Sequence, residues 1–152
     1  MISRASRYAL SVLRSLGQAE DERLSTAALA DETGVPPSYL AKLLTQLRKQ
    51  GVVDAERGWG GGFRLRPEAL DRPLRDIVVI FDGRERSADK ACLLELTDCD
   101  EDNPCVLHPF WRQIRQALDE LLTTQTIRDL AMTRTRDSLR ERRRGPDEGR
   151  RS

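Results

Sequence analysis

The chain has 152 residues, 38% hydrophobic and 34% charged, with 26 Lys and Arg against 25 Asp and Glu and a formal charge of +1. That length gives one domain, or one domain with an appendage, and a core of its own, and the near-neutral balance excludes a uniformly basic coat for nucleic acid. The longest apolar run, residues 77–81, is far too short to span a bilayer, and the opening Met-Ile-Ser-Arg-Ala-Ser-Arg has no apolar signal core, so the expected location is the cytoplasm, with no membrane partner.

Charge is unevenly placed. Residues 1–66 carry 10 basic and 7 acidic groups, residues 67–133 carry 8 and 14, and residues 134–152 carry 8 and 4. A polyanion is therefore steered toward the front end and away from the middle.

In chain order, Ala9, Val12, Leu13 and Leu16 fall at helical spacing over residues 3–18 and predict a first amphipathic helix. Ser25 is placed to cap a short second helix, residues 26–33, with Leu29 and Ala30 inward and Gly34 at its left-handed end. Pro37 suits the first position of a third helix, because its missing N–H has no helical partner to lose. Leu40, Leu43, Leu44 and Leu47 are that helix's inner stripe, and Gly51 ends it. Two helices joined by a tight Gly-Val-Pro turn form a helix-turn-helix. Val52 and Val53 then open a strand, Arg57-Gly58-Trp59-Gly60-Gly61-Gly62 forms a glycine-rich turn, and Phe63-Arg64-Leu65 returns as a second strand. The combination is a winged helix, mainly α with a small β-wing, over residues 1–83.

Residues 74–81 carry a further apolar stripe, predicting a short helix closed by Gly83 and packed under the wing. Residues 84–108 read as a loop that is strongly acidic around Glu95, Asp98, Asp100, Glu101 and Asp102. From Pro109 onward Phe110, Trp111, Ile114, Leu118, Leu121 and Leu122 give the longest helical stripe in the chain. Thr126 and Asp129 resemble a capping box opening one more short helix, so that residues 109–133 form a long helix and a short one. The arginine-rich residues 134–152 have nothing to bury and are expected to be disordered.

Two sets of residues carry chemistry. Opposite the leucine stripe of the third helix lie Ser38, Ala41, Lys42 and Thr45, which face base edges if that helix enters a major groove, and Arg57 at the wing tip is placed to reach a minor groove or a phosphate. Tyr39, Arg48 and Trp59 complete the candidate DNA-binding set. The second set is Cys92-x6-Cys99-x5-Cys105-x2-His108, which gathers all three cysteines and the single histidine. Three thiolates and an imidazole supply four ligands for one iron-sulfur cluster. A structural zinc uses the same donors, although the two longer gaps exceed the usual spacing of zinc ligand pairs. A metal-free thiol switch needs thiols of lowered pKa, which the surrounding acids oppose. An enzyme with Cys105 as nucleophile and His108 as base lacks an orienting third group, so no catalytic residue is assigned and no small-molecule substrate is expected.

The residues Ser6-Arg7-Tyr8-Ala9-Leu10, Tyr39-Leu40, the run from Leu47 to Val53, Arg57-Gly58 and Gly61-Gly62-Phe63-Arg64-Leu65 resemble the IscR/NsrR/RirA family of bacterial winged-helix transcription factors. The resemblance runs over residues 1–133. It implies a homodimer in which the long helix after the cysteine loop crosses its partner, giving Phe110, Trp111, Ile114, Leu118, Leu121 and Leu122 a dimerisation role. It also implies an iron-sulfur cluster, 2Fe-2S or alternatively 4Fe-4S, on Cys92, Cys99 and Cys105, with a variable fourth ligand. Cys105-Val-Leu-His108-Pro-Phe-Trp111-Arg112 resembles the IscR arrangement, in which a His after the third Cys is that ligand, and Arg7 stands where the NsrR type places a ligating Asp. The first cysteine gap is six residues where the IscR type has five, and Ala41 replaces an acidic residue of its recognition helix. The implied function is a sequence-specific regulator of transcription, binding double-stranded DNA at imperfect palindromes under control of the cluster.

Overall fold

The computed structural model describes residues 2–87, 92–94, 96 and 99–132. The arginine-rich residues 134–152 and the acids Glu95 and Asp98 lie outside the described residues.

Helix α1, Arg4–Gln18, is capped by Ser3, whose hydroxyl accepts from the Ser6 N–H at 3.1 Å. Its Ala9, Val12, Leu13 and Leu16 are fully buried, as their spacing requires, and α1 forms the centre of the core. Helix α2, Thr26–Thr33, opens on Ser25, which accepts from the Ala28 N–H, and closes on Gly34 at φ 68°, whose N–H donates to the Ala30 carbonyl. Helix α3, Pro37–Lys49, begins at the expected proline and buries Leu40, Leu43, Leu44 and Leu47. Strands β1, Val53–Glu56, and β2, Gly62–Leu65, pair antiparallel with Val53 opposite Leu65 and Glu56 opposite Gly62.

The wing is anchored at its base. Leu24 and Phe63 exchange two backbone hydrogen bonds of 2.9 Å, and Arg23 pairs with both Asp54 (3.1 Å) and Glu56 (3.0 Å). The hydrogen bond from Arg23 holds the Asp54 carboxyl below its ordinary value. Gly62 makes this approach feasible: at φ 140°, a Cβ there would lie 2.6 Å from the Leu24 carbonyl oxygen.

Helix α4, Leu74–Ser87, breaks at Gly83 (φ 75°, ψ 164°), where the sequence places its end, and then resumes to Ser87. It packs against α1 and α5 rather than beneath the wing, which corrects the expected partner. The inward side of the wing, Val53 and Leu65, is already covered by α3 and α1, so Ile77 and Val78 find their cover on α1 instead. The far end of α4 is tied to the start of α1. Asp82 accepts from the Ser3 N–H at 3.0 Å and from the Ser6 hydroxyl at 2.7 Å, and it also takes a hydrogen bond from the Ser3 hydroxyl.

Helix α5, His108–Thr124, starts one residue before the expected proline, so His108 belongs to its first turn and not to the loop. An Arg75–Asp119 ion pair joins it to α4. The Thr126–Asp129 capping box forms in both directions, 2.8 Å from the Thr126 N–H to the carboxylate and 3.2 Å from the Asp129 N–H to the hydroxyl. It opens α6, Ile127–Met132, which packs closely on α1: a Cβ on Gly17 would lie 2.4 Å from that of Ala131. The last described helix thus completes the core of the winged domain. No helix among the described residues is long and apolar enough to cross a membrane.

Candidate functional site

Along the outer face of α3, Ser38, Ala41, Lys42, Thr45 and Arg48 are all exposed. Tyr39 is partly covered, its ring set edge-on to Tyr8 of α1 with centroids 5.5 Å apart. The Thr45 hydroxyl donates to the Ala41 carbonyl at 2.8 Å. It therefore offers a groove only its lone pairs and its methyl group. At the wing tip Arg57 and Trp59 are fully solvent-facing, with Trp59 held between Gly58 and Gly60, both at positive φ. The recognition helix and the wing tip therefore leave Lys42, Arg48 and Arg57 exposed to solvent.

The three cysteines come together between α4 and α5. Cys92 is supplied by the segment after α4, Cys99 and Cys105 flank an acidic turn, and all three sulfurs lie within 4.8 Å of one another. Cys92 Sγ is 3.8 Å from Cys105 Sγ, and Cys99 Sγ is 3.2 Å from His108 Nδ1. The histidine ring thus meets Cys99, while its backbone N–H donates to the Cys105 carbonyl at 2.9 Å. The nucleophile–base pair Cys105–His108 is accordingly not formed.

The acidic turn is partly self-neutralising. Asp100 accepts from the N–H groups of Asp102 (2.9 Å) and Asn103 (2.8 Å), while Glu101 reaches Arg112 at 3.4 Å and lies 3.9 Å from His108 Nε2. At Cys92 and Cys99 the thiols answer to backbone N–H groups, burial and each other, and not to the neighbouring acids as expected. The N–H of Leu94, joined by that of Leu96, draws the Cys92 thiol below its ordinary value despite burial. At Cys99 the Cys105 N–H acts in the same direction, but burial and the adjoining Cys105 and Cys92 sulfurs outweigh it and push the thiol up.

The donor set fits a metal group. Two thiolates on one tetrahedral ion with bonds of about 2.3 Å sit about 3.8 Å apart, which is the Cys92–Cys105 separation. A cavity of about 450 Å³, bounded by the three cysteines, His108, Trp111 and Arg115, gives room for more than one ion. His108 Nε2 is buried there without a hydrogen-bond partner among the described residues. A buried polar atom in that condition points to a ligand.

Helix α5 divides the six residues of its predicted stripe. Trp111 and Leu122 are buried and Leu118 half-buried, Trp111 against the cysteine cavity and the two leucines against the core. Phe110, Ile114 and Leu121 are 66%, 55% and 52% exposed and are the three free to meet a partner. Arg115 was missed from the sequence, although its spacing of seven from His108 and four from Trp111 sets it on the cavity-facing side of α5.

Residues 2–133 match the Rrf2 family of iron-dependent transcriptional regulators. An HTH-type transcriptional regulator of Aquifex aeolicus is 32% identical over 126 residues, 82% of this chain and 86% of the relative. The HTH-type transcriptional regulator IscR of Vibrio atlanticus is 29% identical over 125 residues, 82% of this chain and 70% of that one. Among solved structures, CymR, the global cysteine regulator of B. subtilis, superposes with a TM-score of 0.67 at 28% identity, over 86% of this chain and 95% of CymR. With a helix-turn-helix, a two-stranded wing, C-terminal helices and three clustered cysteines between α4 and α5, the chain belongs to the Rrf2 family of winged helix-turn-helix DNA-binding transcription regulators, and not to an enzyme family.

Proposed function

We propose that this protein is a homodimeric, cytoplasmic, sequence-specific DNA-binding regulator whose affinity for its operator is set by an iron-sulfur cluster on Cys92, Cys99, Cys105 and His108. The observation that carries this reading is the convergence of three sulfurs within 4.8 Å beside an imidazole 3.2 Å from one of them. When bound, the cluster supplies redox and nitric-oxide chemistry that side chains lack.

Filling the site ties Cys92, Cys99, Cys105 and His108 to one group and so fixes the start of α5 relative to the segment after α4. His108 begins α5, α5 is tied to α4 through Asp119 and Arg75, and Asp82 of α4 holds the first turn of α1 through Ser3 and Ser6. This is a continuous line of contacts from the cysteines to α1, against which α2 packs and whose Tyr8 meets Tyr39 of α3. Two recognition helices of a dimer must sit about 34–36 Å apart to enter successive major grooves. A small rotation of either copy therefore weakens binding, and the operators are imperfect palindromes.

The Cys92–Cys105 separation, suited to one tetrahedral ion, favours a structural zinc as the second reading. Absorption spectra with iron, sulfide and zinc analysis on protein purified without oxygen separate the two. The cluster gives brown protein with near-stoichiometric sulfide, and colourless protein with one zinc overturns it.

DNA contact by the wing has its own test. Arg57→Ala is expected to weaken operator binding by about 1–3 kcal/mol if the guanidinium reads a base, and to lower the salt dependence with little loss of selectivity if it meets phosphate. Fluorescence anisotropy over a salt series distinguishes these, and unchanged affinity throughout excludes the contact.

A further inference from the structure

The cysteine cavity is lined by an arginine with two buried N–H groups that no described residue accepts. Arg115 lines it one turn beyond Trp111, and both its Nε and Nη1 are buried without a hydrogen-bond partner among the described residues. Of the described residues lining the cavity, the two carboxylates are engaged with other groups, Asp100 with the backbone of Asp102 and Asn103, and Glu101 with Arg112. Arg115 is half-buried, and leaving its two buried N–H donors without an acceptor is unfavourable, so the pair points to an anion that completes them.

We propose that Arg115 is the counter-ion of the group held by the three cysteines, donating from Nε and Nη1 to its sulfur atoms and raising its reduction potential. This rests on the iron-sulfur reading above. Three thiolates overbalance the positive charge of a two-iron core, so the loaded site is an anion, and the electron gained on reduction makes it more negative. A fixed cation beside it favours the reduced form, and hydrogen bonds to the sulfurs act in the same direction. Trp111, buried at 8% exposure on the same wall, limits the water that would otherwise screen the charge. The sensor's set point, the potential at which it responds, is then written partly in α5 and not only in its ligands.

The test uses the full chain purified without oxygen as wild type, Arg115→Met and Arg115→Lys. Met keeps the length without the charge, and Lys keeps the charge without the fork. In loaded protein, Arg115→Met is expected to lower the one-electron midpoint potential by about 59 mV, a tenfold change in the reduction equilibrium, with Arg115→Lys close to wild type. In metal-free protein, Arg115→Met is expected to melt at a higher temperature than wild type, because the uncompensated cation is gone. If Arg115→Met loses iron and sulfide too quickly to titrate while Arg115→Lys keeps them, the counter-ion role also stands. Equal losses in both variants, an unchanged potential in loaded Arg115→Met, or a lower melting temperature of its metal-free form overturns the role of Arg115 and leaves the iron-sulfur reading intact. Wild-type protein without acid-labile sulfide overturns both.

Discussion

Replacing Cys99 or Cys105 with Ser is expected to abolish the visible sulfur-to-iron absorption and to remove iron and sulfide together, while the fold survives. A serine hydroxyl stays protonated and hard where the site needs a soft thiolate, so one substitution leaves the group a ligand short. Cys99 is the more damaging position. Its sulfur meets His108 Nδ1 and the Cys105 N–H and lies within 4.8 Å of both other thiols, so its loss unseats the candidate fourth ligand as well. Neither residue belongs to the hydrophobic core around α1, so the metal-free variants should match metal-free wild type in stability within about 0.5 kcal/mol. Operator affinity supplies the functional half of the result. Both variants should bind as metal-free wild type does and should no longer change when iron and sulfide are added or stripped, whichever form of the regulator binds more tightly. Unchanged absorption in either variant removes that cysteine from the ligand set, and a Cys99→Ser protein that still switches its DNA affinity breaks the link between the site and the wing.

Local chemistry explains which parts of this architecture were legible in the sequence. Ser25, Gly34, Pro37 and the Thr126–Asp129 box each act within one helical turn, and each does in the structure what its residue type dictates. The glycine-rich wing was equally legible, because only glycine tolerates the backbone at residues 58, 60 and 62. What the sequence left open depends on surfaces meeting across the fold. The stripe of α4 declares an apolar face but not its partner, and α1 takes that face only because α3 and α1 already cover the wing. Gly17 shows no role until Ala131 arrives against it from the far end of the chain. The cysteine site was legible as a set of donors, since soft ligands clustered over residues 92–108 have few other uses, yet its electrostatics were not. Backbone N–H groups decide the Cys92 thiol, burial and neighbouring sulfurs decide Cys99, and two of the acids, Asp100 and Glu101, are engaged with other groups.

The division of the α5 stripe leads to the second large effect, which concerns assembly. Phe110, Ile114 and Leu121 recur at intervals of four and seven on the side of α5 turned away from the core, and each is more than half exposed. In a twofold dimer each of them is buried twice, and a fully buried side chain of this size contributes about 1.5–3 kcal/mol. Ile114→Glu places a charge from each copy near the dimer axis and removes that burial at the same time. It is expected to yield a folded monomer by sedimentation, because the position contributes nothing to this chain's own core. Binding to a two-half-site operator should then fall by about 10²–10⁴, the advantage of linking two sites, while affinity for a single half-site stays near wild type. Leu122→Glu, one residue beyond Leu121 but directed into the core at 5% exposure, should instead unfold the protein. The contrast between these variants is the decisive part. A helix whose outer face binds a second copy tolerates charge at residue 114 only by losing its partner, whereas a helix with a merely solvated outer face tolerates it without consequence, and an Ile114→Glu protein that stays dimeric and binds the full operator unchanged moves the interface off α5.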